Sequence, residues 1–502
     1  MSQAIPSLRQ WARYATSAPV NCGSQRTLLR NTRSRHVDRR RWYGSVSAAE
    51  LRFGQPVHET HPHILKAGEL TPGITALEYD HRRSKLASKL PKNGIAVVAS
   101  SDVKYRSGSV FYEYHQDPDF FYLTGFNEPG ALAIIGNNGS DNDHVFHLYV
   151  RDKDPRAELW EGARSGVQAA MDVFNADISG DMADISRNPP SILSDASVIY
   201  TDLKMTDPSR SSLSRFFSAL KGGSGTLEKV VASHRLKPLR PVLNELRIFK
   251  SDGEISNMRK AGQASGRAFT ESMRKTFTKE KDIHAFLEYQ FKANGCDGPA
   301  FVPVVAGGQN ALSIHYVRND DVLRNEDLVL VDGGGEYGGY ISDITRTWPV
   351  SGKFSPAQRD LYSAILSVQR TCVSLCRESA GLSLDMLHGI AEKGLREQLQ
   401  ALGFDVSGNM SMIALDILEP TNWRRDSVLL LNRRCPGGMA SMQRNLKLTA
   451  SSGIYVPDDE RWPKQFRGIG IRIEDSVCIG EDNPLILTTE AVKEIDDIEA
   501  LQ

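Results

Sequence analysis

The stretch LVLVDGGGEYGGYISDITRTWPV, residues 328–350, restricts the fold more than any other part of this chain. Two runs of strand-like composition flank a Gly-rich turn. Asp332 ends the first run, and Asp343 sits inside the second, eleven residues later. If 328–332 and 340–347 pair as a hairpin, the two carboxylates come side by side on one face. Two buried like charges repel, so one must hold a proton unless a cation lies between them. Hard divalent cations take carboxylate oxygens, and Mn²⁺ takes these plus imidazole. Two such ions ~3.5–4 Å apart activate a bridging water in hydrolysis.

Glu474, in IRIEDSV, is a third candidate ligand. Strand alternation puts Arg472 and Glu474 on one face and Ile471 and Ile473 on the other. A glutamate between apolar neighbours on a core strand needs compensation, which a metal supplies. Taken singly, an Asp after a Gly-flanked strand is ordinarily a turn residue, and a strand Glu is often half-exposed or salt-bridged. On these residues alone both readings stand; the surrounding sequence decides between them.

Along the chain, GIAVVAS (94–100), ALAIIG (131–136), HVFHLYV (144–150) and VIYTD (198–202) read as strands. Helical spacing at 75–90 and near 208–221 lies between them, which predicts an α/β unit with a mixed sheet. A boundary falls at 236–252, where two prolines precede a helix-start signal, Ser251 or Asp252 before Glu254. The second half reads as α+β. Helices are expected after 252, over KDIHAFLEYQFKANG, and near 355–379 and 383–402. Strands are expected at FVPVVAGGQNALSIHYV, around the two aspartates, at 453–459 and at 468–480.

A chain of 502 residues exceeds one ordinary core, so two or three domains are expected. Lys plus Arg and Asp plus Glu both number 61, which gives no sign of a nucleic-acid partner. No apolar run reaches the ~18 residues of a membrane span. Six scattered cysteines without a CxxC pair fit a reducing compartment. Residues 1–49 differ from the rest: nine arginines, no lysine and one acid, Asp38. That is the composition of a mitochondrial transit peptide, with a processing zone at RRRWYGSVSA (39–48).

The long motifs resemble the aminopeptidase P family, the Xaa-Pro aminopeptidases of pita-bread fold. DGGGEYGGYISDITRTWPVSGKF resembles the segment that supplies two aspartate ligands, here Asp332 and Asp343. FVPVVAGGQNALSIHYVRND resembles the segment carrying an active-site histidine, here His315. GIRIEDSV resembles the segment with a metal-bridging glutamate, Glu474, and an active-site arginine, Arg472. THPHILKAGELTPGI, FYEYHQDPDFFYLTGFNEPGALAII and LWEGARSG resemble the family's N-terminal domain. The resemblance covers about 53–405 and 453–490. With the Arg-rich presequence, it is closest to the mitochondrial intermediate-cleaving subgroup rather than to creatinase- or prolidase-like hydrolases.

The resemblance implies an α/β N-terminal domain with a mixed sheet at 53–240, and an α+β pita-bread catalytic domain at 245–495, behind a presequence at 1–50. It implies removal of one N-terminal residue, with two Mn²⁺ ions, a glutamate as proton acceptor and His315 as donor to the scissile carbonyl oxygen. Partners would be peptide or protein N-termini, with no nucleic acid and no membrane span. A homo-oligomer is compatible with this, as is a place in the mitochondrial matrix or on the inner membrane.

The pattern breaks over 410–452. The family's metal-ligand histidine and a second active-site histidine have no counterpart, since no histidine follows His388. His388 itself reads as a helix-surface residue. Ser451 stands where the family has glutamate before GIYVPDD, so only Asp332, Asp343 and Glu474 remain, enough for one ion at most. The sharp edges of this block point to a shifted reading frame or a misassigned splice. An impaired paralogue acting as a peptide-binding or partner-binding protein, and an active enzyme with unusual ligands, are the alternatives. Poor packing is expected across 420–450.

Overall fold

A computed structural model describes residues 52–137, 144–185, 191–203, 236–406 and 445–501. The presequence and the helix expected near 208–221 lie outside these residues. The chain divides into two compact units between Leu243 and Asn244.

In the first unit, four of the expected strands appear as Gly94–Ala99, Leu132–Asn137, His144–Val150 and Val198–Tyr200. They join Ile178–Asp181 and Leu236–Lys237 in one six-stranded sheet. Gly94–Ala99 pairs antiparallel with Leu132–Asn137 but parallel with Val198–Tyr200, so the sheet is mixed. The central strand Gly94–Ala99 is buried throughout, which explains its unbroken apolar run. Helix Ala76–Lys89 is capped by Thr75, whose hydroxyl accepts from the Glu78 amide.

The second unit opens on helix Asp252–Met273. Ser251 and Glu254 close a reciprocal capping box at its start. Helices Glu280–Ala293, Pro356–Ser374 and Leu384–Ala401 follow. Its main sheet runs Val304–Gly307, Leu328–Gly333, Ile344–Pro349, Gly470–Cys478, Lys447–Tyr455 in spatial order, with antiparallel neighbours. One face of this sheet packs on the helices: Ile471, Ile473, Leu448, Ala450 and Ile454 enter the same apolar core as Leu361, Ile365 and Leu395. The other face carries the polar residues described below.

Two expectations need correction. The strand expected over FVPVVAGGQNALSIHYV is only Val304–Gly307, and a 3₁₀ turn, Gly308–Leu312, follows it. The poor packing expected across 420–450 fails at its end, while 420–444 lie outside the described residues. Strand Lys447–Tyr455 is buried at every position and pairs residue by residue with Gly470–Cys478. Its alternation supplies the reason. Leu448, Ala450 and Ile454 face the core, so Thr449 and Ser451 sit on the opposite face, and the one polar residue on the core side, Ser452, is small and buried opposite Ile473.

Candidate metal centre

Leu328–Gly333 pairs with Ile344–Pro349, and Asp332 lies opposite Thr345. Asp343 precedes Thr345 by two residues, so both carboxylates share one face. The pairing expected for 340–347 is thus displaced: Tyr340–Ile341 pairs instead with Gly335–Tyr337, in a small separate sheet. Gly338 and Gly339, both at positive φ (58° and 81°), make its two-residue turn. The two arms meet closely at Gly334, where a Cβ would stand 2.1 Å from the Ser342 carbonyl oxygen. No side chain fits that approach. Gly334→Ala is therefore expected to splay the two aspartates and weaken cation binding roughly tenfold or more, measured by titration calorimetry.

Register extends the site across the sheet. Asp332 opposes Thr345, Thr345 opposes Glu474, and Glu474 opposes Ser451, forming one row on one face. Arg472, two residues before Glu474, joins that face. Asp332, Asp343 and Glu474 each offer an oxygen within 4.8 Å of the others. The structure thus brings together four of the five residues singled out by sequence.

Arg472 is tied to the cluster from every side. It donates from Nη2 to Asp332 Oδ2 at 2.7 Å, from Nη1 to Tyr455 OH at 2.6 Å and from Nε to Thr345 Oγ1 at 3.2 Å. Thr345 donates to Glu474 Oε2 at 2.6 Å. Burial pushes Asp332 up to about 6, with Arg472 opposing that rise. Burial, then the nearby charges of Asp332 and Glu474, hold Asp343 well above the usual carboxylate range. At the start of strand Lys447–Tyr455, burial pulls Lys447 down to about 8 against the pull of Asp343. The site is therefore short of positive charge. Asp332 Oδ1 and Ser451 Oγ are buried and accept or donate no hydrogen bond.

His315 is not in this cluster. It is exposed on the turn after Gly308–Leu312. Its neighbours Ile314 and Tyr316 pack against an apolar cluster that contains Val304, Leu330 and Tyr455. Val304 opposes Asp332 and Tyr455 holds Arg472, so the His315 loop lies on the carboxylate face. His388 is exposed on helix Leu384–Ala401. Sequence reasoning missed Thr345, Tyr455 and Lys447. Thr345 was signalled by its i+2 spacing from Asp343; the other two depend on cross-strand register.

Residues 256–481 match the model of metallopeptidase family M24, and residues 79–200 match the aminopeptidase P N-terminal domain. Intermediate cleaving peptidase 55 of Saccharomyces cerevisiae is 43% identical over 464 residues, spanning 89% of this chain and 88% of that protein. The chain belongs to metallopeptidase family M24. A crystal structure of the yeast protein, Icp55, superposes with a TM-score of 0.75 at 40% identity, covering 87% of this chain and 99% of the other. The mitochondrial intermediate cleaving peptidase 55 of Arabidopsis thaliana is 34% identical over 483 residues, covering 95% and 92%. Zn-substituted aminopeptidase P of E. coli, in complex with product, superposes at a TM-score of 0.72 and 30% identity, covering 85% and 98%.

This M24 chain is an Xaa-Pro aminopeptidase-type metallopeptidase and depends on a divalent metal. Its carboxylates fit one hard cation. The donors are all oxygen, the cluster is short of positive charge, and Asp332 Oδ1 has no donor of its own. They do not make two full sites. The row ends in the neutral hydroxyl of Ser451, and no histidine joins the three carboxylates among the described residues.

Proposed function

We propose that this chain releases one N-terminal residue from polypeptides in the mitochondrion, ahead of proline or from imported proteins whose presequence has been cut. The observation that carries this reading is the convergence of Asp332, Asp343 and Glu474 on one face of the second unit's sheet. These three would hold the cation, with Mn²⁺ as the metal. A divalent ion held there supplies Lewis-acid activation of water and carbonyl.

The chain's own groups do the rest. Arg472 fixes Asp332 through its 2.7 Å bond and keeps the carboxylate aimed across the row. Thr345 does the same for Glu474. Glu474, the one glutamate of the cluster, is taken up as a cation ligand, so the cluster holds no separate glutamate to accept the proton of the attacking water. His315, exposed on its loop over this face, donates to the scissile carbonyl oxygen. The domain division at 53–240 and 245–495 assigns this chemistry to the second unit.

The test is release of the first residue from two peptides, one with proline second and one without, with and without Mn²⁺. Release that stops on chelation and returns with Mn²⁺ is expected. His315→Ala should slow it by roughly 100-fold. A second reading, a peptide-binding protein with impaired turnover, is favoured by Ser451 at the end of the row. Peptide binding without release in Mn²⁺ would establish it.

A further inference from the structure

Glu280 is buried completely and opens helix Glu280–Ala293. A buried carboxylate is costly unless its charge is met by hydrogen bonds or a cation. Here four donors meet it, and none is a cation. Oε1 accepts from the Gly307 amide and Asn310 Nδ2, both at 2.9 Å. Oε2 accepts from the Tyr316 hydroxyl at 2.8 Å and the Asp321 amide at 2.9 Å. The helix N-terminus adds favourable positive potential.

All four donors belong to one segment, 307–321, and His315 lies inside it. Gly307 and Asp321 are its two ends, so one carboxylate pins both, and Asn310 and Tyr316 tie down the interior. The Glu280 amide also donates to Asp321 O at 3.1 Å. A second clamp supports the same segment from below. Asn319, in the left-handed region at φ 52°, donates to Pro303 O at 2.8 Å and accepts from the Val305 amide at 2.9 Å. Ile314 and Tyr316 pack against the apolar cluster that includes Leu330 and Tyr455, residues of the carboxylate face.

We propose that Glu280 is a positioning residue: its carboxylate closes the 307–321 loop and sets His315 over the carboxylate face. The link to the reaction rests on the role given to His315 above. Glutamine cannot replace the carboxylate here. Its amide has one oxygen for four donors, and in either orientation its NH₂ would face a backbone N–H, of Gly307 or of Asp321. Aspartate is too short to reach both ends.

Hydrogen exchange in the full chain tests this, whether or not the chain turns over. Glu280→Gln should speed exchange within 307–321 at least tenfold, with Leu328–Gly333 and Gly470–Cys478 unchanged. Tyr316→Phe, which removes a single donor, should do so over 312–317 and guards against a Glu280 variant that fails to fold. Unchanged exchange in both variants, or equal acceleration across the whole second unit, overturns the proposal. In kinetics, the Glu280→Gln loss should vanish in a His315→Ala background, since both act through one group. If His315→Ala alone is as active as the parent while exchange is accelerated locally, the catalytic reading of His315 fails and the loop assignment stands.

Discussion

Ser451→Glu is expected to tighten Mn²⁺ binding by roughly tenfold or more, because added ligand charge raises affinity at oxygen sites. Ser451 lies opposite Glu474 at the end of the row that starts with Asp332. It is 6% exposed, and its hydroxyl has no partner. A glutamate there would put a fourth carboxylate on the same face. Without metal that change should weaken the fold, since burial and like charges already raise Asp332 and Asp343. The variant should thus be less stable than the parent in chelator and more stabilised by Mn²⁺. Equal affinity in the two chains would show that position 451 does not face the ion. Sequencing the transcript across codons 405–455 is the companion experiment: a glutamate encoded before Gly453 would mean the cell already makes the four-carboxylate form.

Arg346→Ala should cost about 3–5 kcal/mol of stability, as expected when one partner of a buried ion pair is removed. Arg346 and Asp475 are each 1% exposed and meet at 2.7 Å on the core face of the sheet. Arg346 also donates to the carbonyls of Thr345, Glu474 and Ala491, at 2.9, 2.6 and 2.9 Å. It therefore locks the strands bearing Thr345 and Glu474 from behind. Asp475 accepts further bonds from Gln369, Lys493 and Thr488. Burial alone would raise the Asp475 carboxyl, but Arg346 and Lys493 hold it well below the usual range. A depressed folded value means that its contribution is fully present above the unfolded value of ~4 and fades as pH falls below it. Denaturant unfolding at neutral pH reads the Arg346→Ala loss; a change under about 1 kcal/mol would contradict it. An apolar swap of the pair should not recover the loss, because Lys493, Gln369 and Thr488 would lose their acceptor.

Much of this was legible in the residues. Period-two alternation in GIRIEDSV separated Arg472 and Glu474 from Ile471 and Ile473, and the sheet keeps that division. The capping signal at Ser251 marks a helix start. The carboxylate pair followed from hairpin geometry, although the pairing is set by Gly334 and reaches 349. What could not be read depends on distant partners. By sequence, residues 447–452 read as the end of a block that departs from the family and packs poorly. Only pairing with Gly470–Cys478 shows that this stretch is a buried strand with Ser451 opposite Glu474. Glu280 likewise looks like an ordinary first-turn acid, since its four donors lie 27 to 41 residues away.

The central claim is that Asp332, Asp343 and Glu474 together hold a divalent cation. Titration of the chelator-treated full chain with Mn²⁺, read by calorimetry and native mass spectrometry, tests it most directly. One Mn²⁺ per chain, with binding lost in Asp343→Asn, is the predicted result. No binding, or binding that survives Asp343→Asn unchanged, would contradict it.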